Sequence, residues 1–199
     1  LYPDVEEGAA GFGDLNGDGF DDVVFTQPTA SDSGLVNNGR VTVLFGGNES
    51  FDSSAPVVLS GTQTSELYGS AIAIGSYLGN GMTQLVLSSP GFDNTSRVGE
   101  QNHGRVSMYE WNQTQFDVVW SVAGNHEDML GTDVSHINDL NGCGALGPFI
   151  HFSNKRNTAL INDIRMPARL DTSNGHRMGL LIHGFLLHLL KPEPGRRRD

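Results

Sequence analysis

Oxygen-bearing side chains recur at alternate positions in the short segment DLNGDGFDD, residues 14–22. Counted from its first aspartate, side-chain oxygens fall at positions one, three, five and nine, and position seven offers a backbone carbonyl. Such a set suits Ca²⁺, which takes six to eight oxygen ligands, whereas Mg²⁺ takes fewer protein ligands and Zn²⁺ prefers nitrogen or sulfur. The candidate ligands are Asp14, Asn16, Asp18, the carbonyl of Phe20, and Asp22. The spacing predicts a calcium site, with a metal-free polar hairpin turn as the alternative.

The residues around this segment distinguish it from an EF-hand. An EF-hand loop needs a bidentate glutamate at position twelve, and Phe25 stands there in this chain. The flanking residues show no helical periodicity, and VVFTQP (23–28) indicates a short apolar strand that is ended by a proline. We therefore expect the ion to hold a turn between two strands, with Gly19 permitting the sharp bend.

A repeat of about 62 residues organises most of the chain. Three pairs of matching segments occur in the same order: 21–28 with 83–90, 38–46 with 103–111, and 51–61 with 116–124. Each copy contains four short runs with the alternating or apolar pattern of β-strands. Four antiparallel strands in each period predict an all-β fold of propeller blades. A β-sandwich with an accidental duplication is the alternative.

The loop ligands are missing from the other copies. In the second copy, positions one, three, five and nine carry no carboxylate; they are Ser76, Leu78, Asn80 and Gln84. The third copy begins within 128–144, and its loop starts with Asp139, Asn141 and Cys143 before the pattern stops. We expect neither loop to bind calcium, which favours a scaffolding role for the ion in the first copy.

These segments resemble FG-GAP repeats, which occur in integrin α chains and in the C-terminal region of glycosylphosphatidylinositol-specific phospholipase D. The resemblance covers about 1–143 and is carried by YGSAIAIG (68–75), the acidic loop, the proline-ended strands and GRVTVLFG (39–46). It implies a seven-bladed β-propeller with calcium in some loops, and it assigns the five ligands named above. Integrin propellers have cysteines that are missing here, so the resemblance is closer to the phospholipase, whose zinc-dependent catalytic domain is separate.

The family pattern stops where the charge changes sign. Residues 1–144 carry 19 acidic side chains and three arginines, whereas residues 145–199 carry nine basic and four acidic side chains. We therefore expect two blades and the start of a third in 1–143, and a divergent tail, disordered or weakly helical, in 144–199. An altered reading frame, a retained intron or an alternative exon would explain such a tail, and the coding sequence would identify which.

Composition limits the classes of function. A net charge of −11 argues against a nucleic-acid partner and is compatible with divalent cations. No apolar stretch is long enough to span a membrane. We find no nucleophile elbow, phosphate loop or zinc-protease motif, so we identify no catalytic site within this chain. The activity of an enzymatic parent would therefore belong to another domain.

Three N-glycosylation sequons, at Asn48, Asn94 and Asn112, favour an extracellular or secreted glycoprotein. No initiator methionine or signal peptide opens the chain, so we expect a fragment of a longer protein. The sequence thus predicts a calcium-binding FG-GAP propeller fragment that acts as a scaffold or binding module, with protein or glycolipid ligands engaged through the complete propeller. The alternatives are an accessory domain of a glycosylphosphatidylinositol-specific phospholipase D and an integrin-like adhesion protein.

Overall fold

The computed structural model describes residues 8–48, 55–94, 101–137 and 149–153, and this part of the chain is all-β. It contains β1 (Ala10–Gly13), β2 (Asp22–Gln27), β3 (Arg40–Leu44), β4 (Val57–Ser60), β5 (Ile72–Gly75), β6 (Gln84–Ser89), β7 (Arg105–Trp111), β8 (Phe116–Ala123), β9 (Asp133–Ile137) and β10 (Phe149–Ser153). Within the described ranges, no helix is long and apolar enough to cross a membrane.

The first eight strands form two four-stranded antiparallel sheets, each with its strands in chain order. We call the sheet β1-β2-β3-β4 the first blade and the sheet β5-β6-β7-β8 the second blade. Their registers repeat: Ala10 pairs with Phe25 in the first blade, and Ile72 pairs with Leu87 in the second, 62 residues further along. This architecture confirms the predicted partial propeller of four-stranded blades.

The main hydrophobic core lies between the two blades. Valines from the first blade, such as Val24 and Val43, join Leu85 and Leu87 of the second blade in one buried cluster. Burying each such side chain stabilises the fold by about 1.5–3 kcal/mol relative to exposure. All six residues of β6 are buried, because a second cluster covers its other face and includes Val134 of β9. After Gln84, the residues of β6 are all apolar or small, which is the pattern expected when both faces of a strand are covered.

A third sheet consists of β9 and β10, which pair antiparallel from Asp133↔Ser153 to Ile137↔Phe149. This finding corrects the expectation of a disordered or weakly helical tail for residues 149–153, and the rest of the tail lies outside the described residues. The sequence of β10, FIHFS, is rich in aromatic and β-branched residues, which favour strands, and β9 supplies a pairing partner. Residues 139–143, the third copy of the loop, lie outside the described part of the chain. The domain boundary at 143 stays a prediction.

Candidate metal centre

The acidic segment is the hairpin loop between β1 and β2. Gly13 and Asp22 are paired residues of these strands, so the loop between them is closed by the sheet itself. Leu15, in the loop, is fully buried and belongs to the core between the blades. The sheet and this buried leucine therefore fix where the polar loop residues lie.

Asp14 organises the loop through its carboxylate. Its Oδ1 accepts hydrogen bonds from the backbone N–H groups of Gly17 (2.7 Å) and Asp18 (3.1 Å), and its Oδ2 accepts one from Gly19 (2.9 Å). Gly19 has a φ of 90°, a conformation that residues with a Cβ rarely adopt. The chain is thus wrapped around one carboxylate, and the glycine makes the bend possible, as the sequence predicted.

Asn16 and Asp18 are joined to each other on the exposed side of the loop. The Asp18 N–H donates to Asn16 Oδ1 (3.0 Å), and Asn16 Nδ2 donates to Asp18 Oδ2 (2.9 Å). Asp18 Oδ1 also accepts from the N–H of Phe20 (2.9 Å), whose side chain is partly exposed. These three residues therefore share one turn with Asp14.

Asp22 differs from the other aspartates because it is completely buried. Its Oδ2 accepts from the N–H of Leu15 (2.7 Å), and its Oδ1 accepts from the N–H of Gly46 (2.9 Å), which follows β3. Burial raises the pKa of Asp22 above its ordinary value, and the backbone hydrogen bonds oppose that rise. Asp22 therefore ties the start of the loop to the end of the third strand.

The structure brings the predicted ligands into one loop but does not gather three carboxylates into a ready-made cluster. In the described ranges, no group of three or more His, Cys, Asp or Glu side chains is placed to hold a metal ion. The carboxylate oxygens instead accept backbone N–H groups. Asp14 Oδ1 accepts two N–H groups, but Asp14 Oδ2 and Asp18 Oδ1 accept one each and have a second lone pair. The donor chemistry, oxygen throughout, therefore fits a hard cation such as Ca²⁺.

The corresponding loop of the second blade is held by two residues whose hydrogen-bonding roles the sequence did not predict. Gln84, fully buried at position nine, accepts the N–H groups of Tyr77 (2.7 Å) and Leu78 (3.3 Å) with its Oε1. Glu110 of β7 reaches the same loop and accepts from Asn80 Nδ2 (2.9 Å). The signal for Gln84 was its alignment with Asp22, and the signal for Glu110 was an acidic residue near the end of a strand whose other charged residue, Arg105, is its first.

The predicted glycosylation sites fall in loops. Asn48 and Asn112 are exposed and follow the equivalent strands β3 and β7, whereas Asn94 is half-buried in the loop after β6. The side chain of Asn112 is already engaged, since its Nδ2 donates to Asp117 (2.7 Å). Glycosylation stays a prediction, which a loss of mass on enzymatic deglycosylation of the protein from a glycosylating host would test.

Comparison with protein families identifies residues 8–44 as an FG-GAP repeat. The match covers the first three strands of the first blade together with the acidic loop. Comparison with curated proteins gives no match. The FG-GAP repeat is consistent with a propeller-type blade, is typical of extracellular or secreted proteins, and suggests a binding module. The repeat type predicted from the sequence is therefore confirmed in the first blade.

Proposed function

We propose that this chain is the calcium-binding part of an extracellular FG-GAP propeller and serves as a scaffold or binding module. The observation that supports it is the loop 14–22, where oxygen ligands alone are concentrated in one turn of a matched FG-GAP repeat. The ligands are Asp14, Asn16, Asp18, the Phe20 carbonyl and Asp22. Calcium supplies two positive charges, which offset most of the three negative charges of Asp14, Asp18 and Asp22.

The role of the ion is structural in this proposal. Asp22 already connects the loop to β2 and, through Gly46, to the end of β3. An ion that shares Asp22 with Asp14 and Asp18 makes the exposed turn part of the same network. The loop lies at one end of the blade, so this link fixes the first two strands relative to the third without adding to the hydrophobic core.

The experiment compares the full chain with the Asp18→Ala variant in thermal unfolding, with EDTA or with saturating calcium. A ligand at 100 times its Kd stabilises a protein by about 2.7 kcal/mol, which raises the Tm of a chain of this size by about 5–10 °C. We expect that shift in the wild type and none in Asp18→Ala. Asp18 is exposed, so the Asp18→Ala substitution should change the Tm in EDTA only slightly.

The matched control is Asn80→Ala, which changes the equivalent position of the second blade. Its calcium-dependent shift should equal that of the wild type, because the proposed ligands are intact. A calcium-dependent shift that survives Asp18→Ala would show that the ion binds elsewhere and would remove the site assignment.

For the parent protein, the single cysteine favours a phospholipase-like propeller over an integrin-like one. In that case this chain is an accessory domain, and hydrolysis of glycosylphosphatidylinositol anchors belongs to a separate zinc-dependent domain. The full-length transcript distinguishes the two, since it encodes either that catalytic domain or the transmembrane helix of an adhesion protein.

A further inference from the structure

The loop of the second blade is built around one buried amide. It joins β5 to β6 and occupies residues 76–83, so each of its residues corresponds to one of the first loop by a shift of 62. Gln84 stands at position nine, where the first loop has Asp22, and both side chains are fully buried. The two loops can therefore be compared atom by atom.

One side-chain atom has the same task in both loops. Gln84 Oε1 accepts the N–H of Tyr77 at 2.7 Å, and Asp22 Oδ2 accepts the N–H of Leu15 at 2.7 Å. Tyr77 and Leu15 are equivalent residues at position two. Position nine must therefore provide an oxygen whether its side chain is charged or neutral.

The second polar atom of the side chain differs between Asp22 and Gln84. Asp22 Oδ1 is a negatively charged acceptor, whereas Gln84 Nε2 is a donor that lies within reach of three oxygens. It donates to Met82 O (3.0 Å), Glu110 Oε2 (3.0 Å) and Asn80 Oδ1 (3.2 Å), so its two hydrogens are shared among three acceptors. Asn80 and Met82 are positions five and seven, the equivalents of Asp18 and Phe20.

We propose that the residue at position nine decides whether a blade uses a cation, and that the Nε2 amide of Gln84 does in the second loop what calcium does in the first. This inference rests on the proposed function of the first loop. The amide binds the oxygens of positions five and seven directly, and Glu110 is the one carboxylate that it contacts. The second loop is consequently closed without metal.

The test is Gln84→Glu in the full chain, combined with Asp18→Ala so that the first loop has no complete site. The glutamate keeps the acceptor oxygen, but a negatively charged oxygen takes the place of the Nε2 donor. The loop then has two carboxylates side by side, that of the new glutamate and that of Glu110. We expect the Tm in EDTA to fall by about 5 °C or more relative to Asp18→Ala alone, and calcium to recover most of that loss. Calorimetric titration should show one calcium bound per chain.

Two further variants make the result decisive. Gln84→Met removes the amide from a side chain of similar length. Its Tm should lie below that of the wild type by the same amount in EDTA and in calcium. Adding Glu110→Gln to the double variant should weaken calcium binding by about tenfold or more, since it removes one charged ligand. A double variant that calcium does not stabilise, or a Gln84→Met variant that melts like the wild type, overturns the inference.

These outcomes are separate from those that test the first loop. If the wild type shows no calcium-dependent shift while the double variant gains one, the proposed function fails, and what stands is that the Gln84 amide keeps the second loop free of calcium. If the wild type responds to calcium and the double variant does not, the proposed function stands and the role of Gln84 fails.

Discussion

A buried side-chain oxygen at the start of the second strand holds the loop in both blades. Asp22 in the first blade and Gln84 in the second each accept a backbone N–H seven residues earlier in the chain. A backbone N–H that is buried without a partner costs free energy comparable to a lost hydrogen bond, so this position cannot be apolar. Its polarity is a requirement of the fold before it is a requirement of any ion.

We expect Asp22→Ala to lower the free energy of unfolding by about 2–4 kcal/mol in EDTA, because it leaves the N–H groups of Leu15 and Gly46 without their acceptors. Urea denaturation monitored by tryptophan fluorescence measures the change. The control is Asp21→Ala, at the neighbouring exposed position, which should stay within about 0.5 kcal/mol of the wild type. If the two variants are equally stable in EDTA, Asp22 matters only as a ligand.

At the scale of elements, a glycine just before the third strand of each blade allows the chain that leaves the blade to pack closely against the backbone at that point. Gly39 and Gly104 have φ values of 85° and 72°. A Cβ at Gly39 would lie 2.4 Å from the backbone nitrogen of Tyr68, and one at Gly104 would lie 2.0 Å from that of Leu130. The repeated glycine is thus required by close approach of two backbones, which explains why it precedes the matched arginine of both copies.

Much of this element structure could be predicted because the signals are local or repeated. Alternation of side chains, proline at strand ends and the 62-residue shift were enough to predict the four-stranded blades and the turn between β1 and β2. The strand β10 could not be predicted, since five residues without the repeat's flanking motifs carry too little pattern and depend on pairing with β9. The donor role of Gln84 depends on Glu110, which lies on another strand and adjoins it only after folding.

At the scale of the whole described molecule, packing between blades is supplemented by one buried ion pair. Glu66, in the connection between the blades, is fully buried, and its Oε1 accepts from Arg105 of β7 at 2.7 Å. Its Oε2 accepts the backbone N–H groups of Thr62 and Gln63. The guanidinium also lies 4.0 Å above the ring of Phe92. These contacts tie the connection leaving the first blade to two elements of the second.

The repeat provides a matched comparison for this ion pair, because Arg40 is the equivalent of Arg105. Arg40 lies 3.6 Å from Asp32, and both side chains of that pair are more than a third exposed. Exposed pairs of this kind contribute about 0–1 kcal/mol, whereas removing one partner of a buried pair costs about 3–5 kcal/mol. The Arg105 side chain is one-quarter exposed, so solvent screening reduces the cost that we expect for it.

We therefore expect Arg105→Met to lower the free energy of unfolding by about 2–3 kcal/mol and Arg40→Met to lower it by less than about 1 kcal/mol. Methionine keeps most of the apolar volume of the arginine stem, so the difference reports the charge and its hydrogen bond more than packing. Urea denaturation at neutral pH and moderate salt measures both variants. Equal losses would mean that Glu66 is held by its backbone donors alone, and that the connection between the blades depends on the hydrophobic core rather than on Arg105.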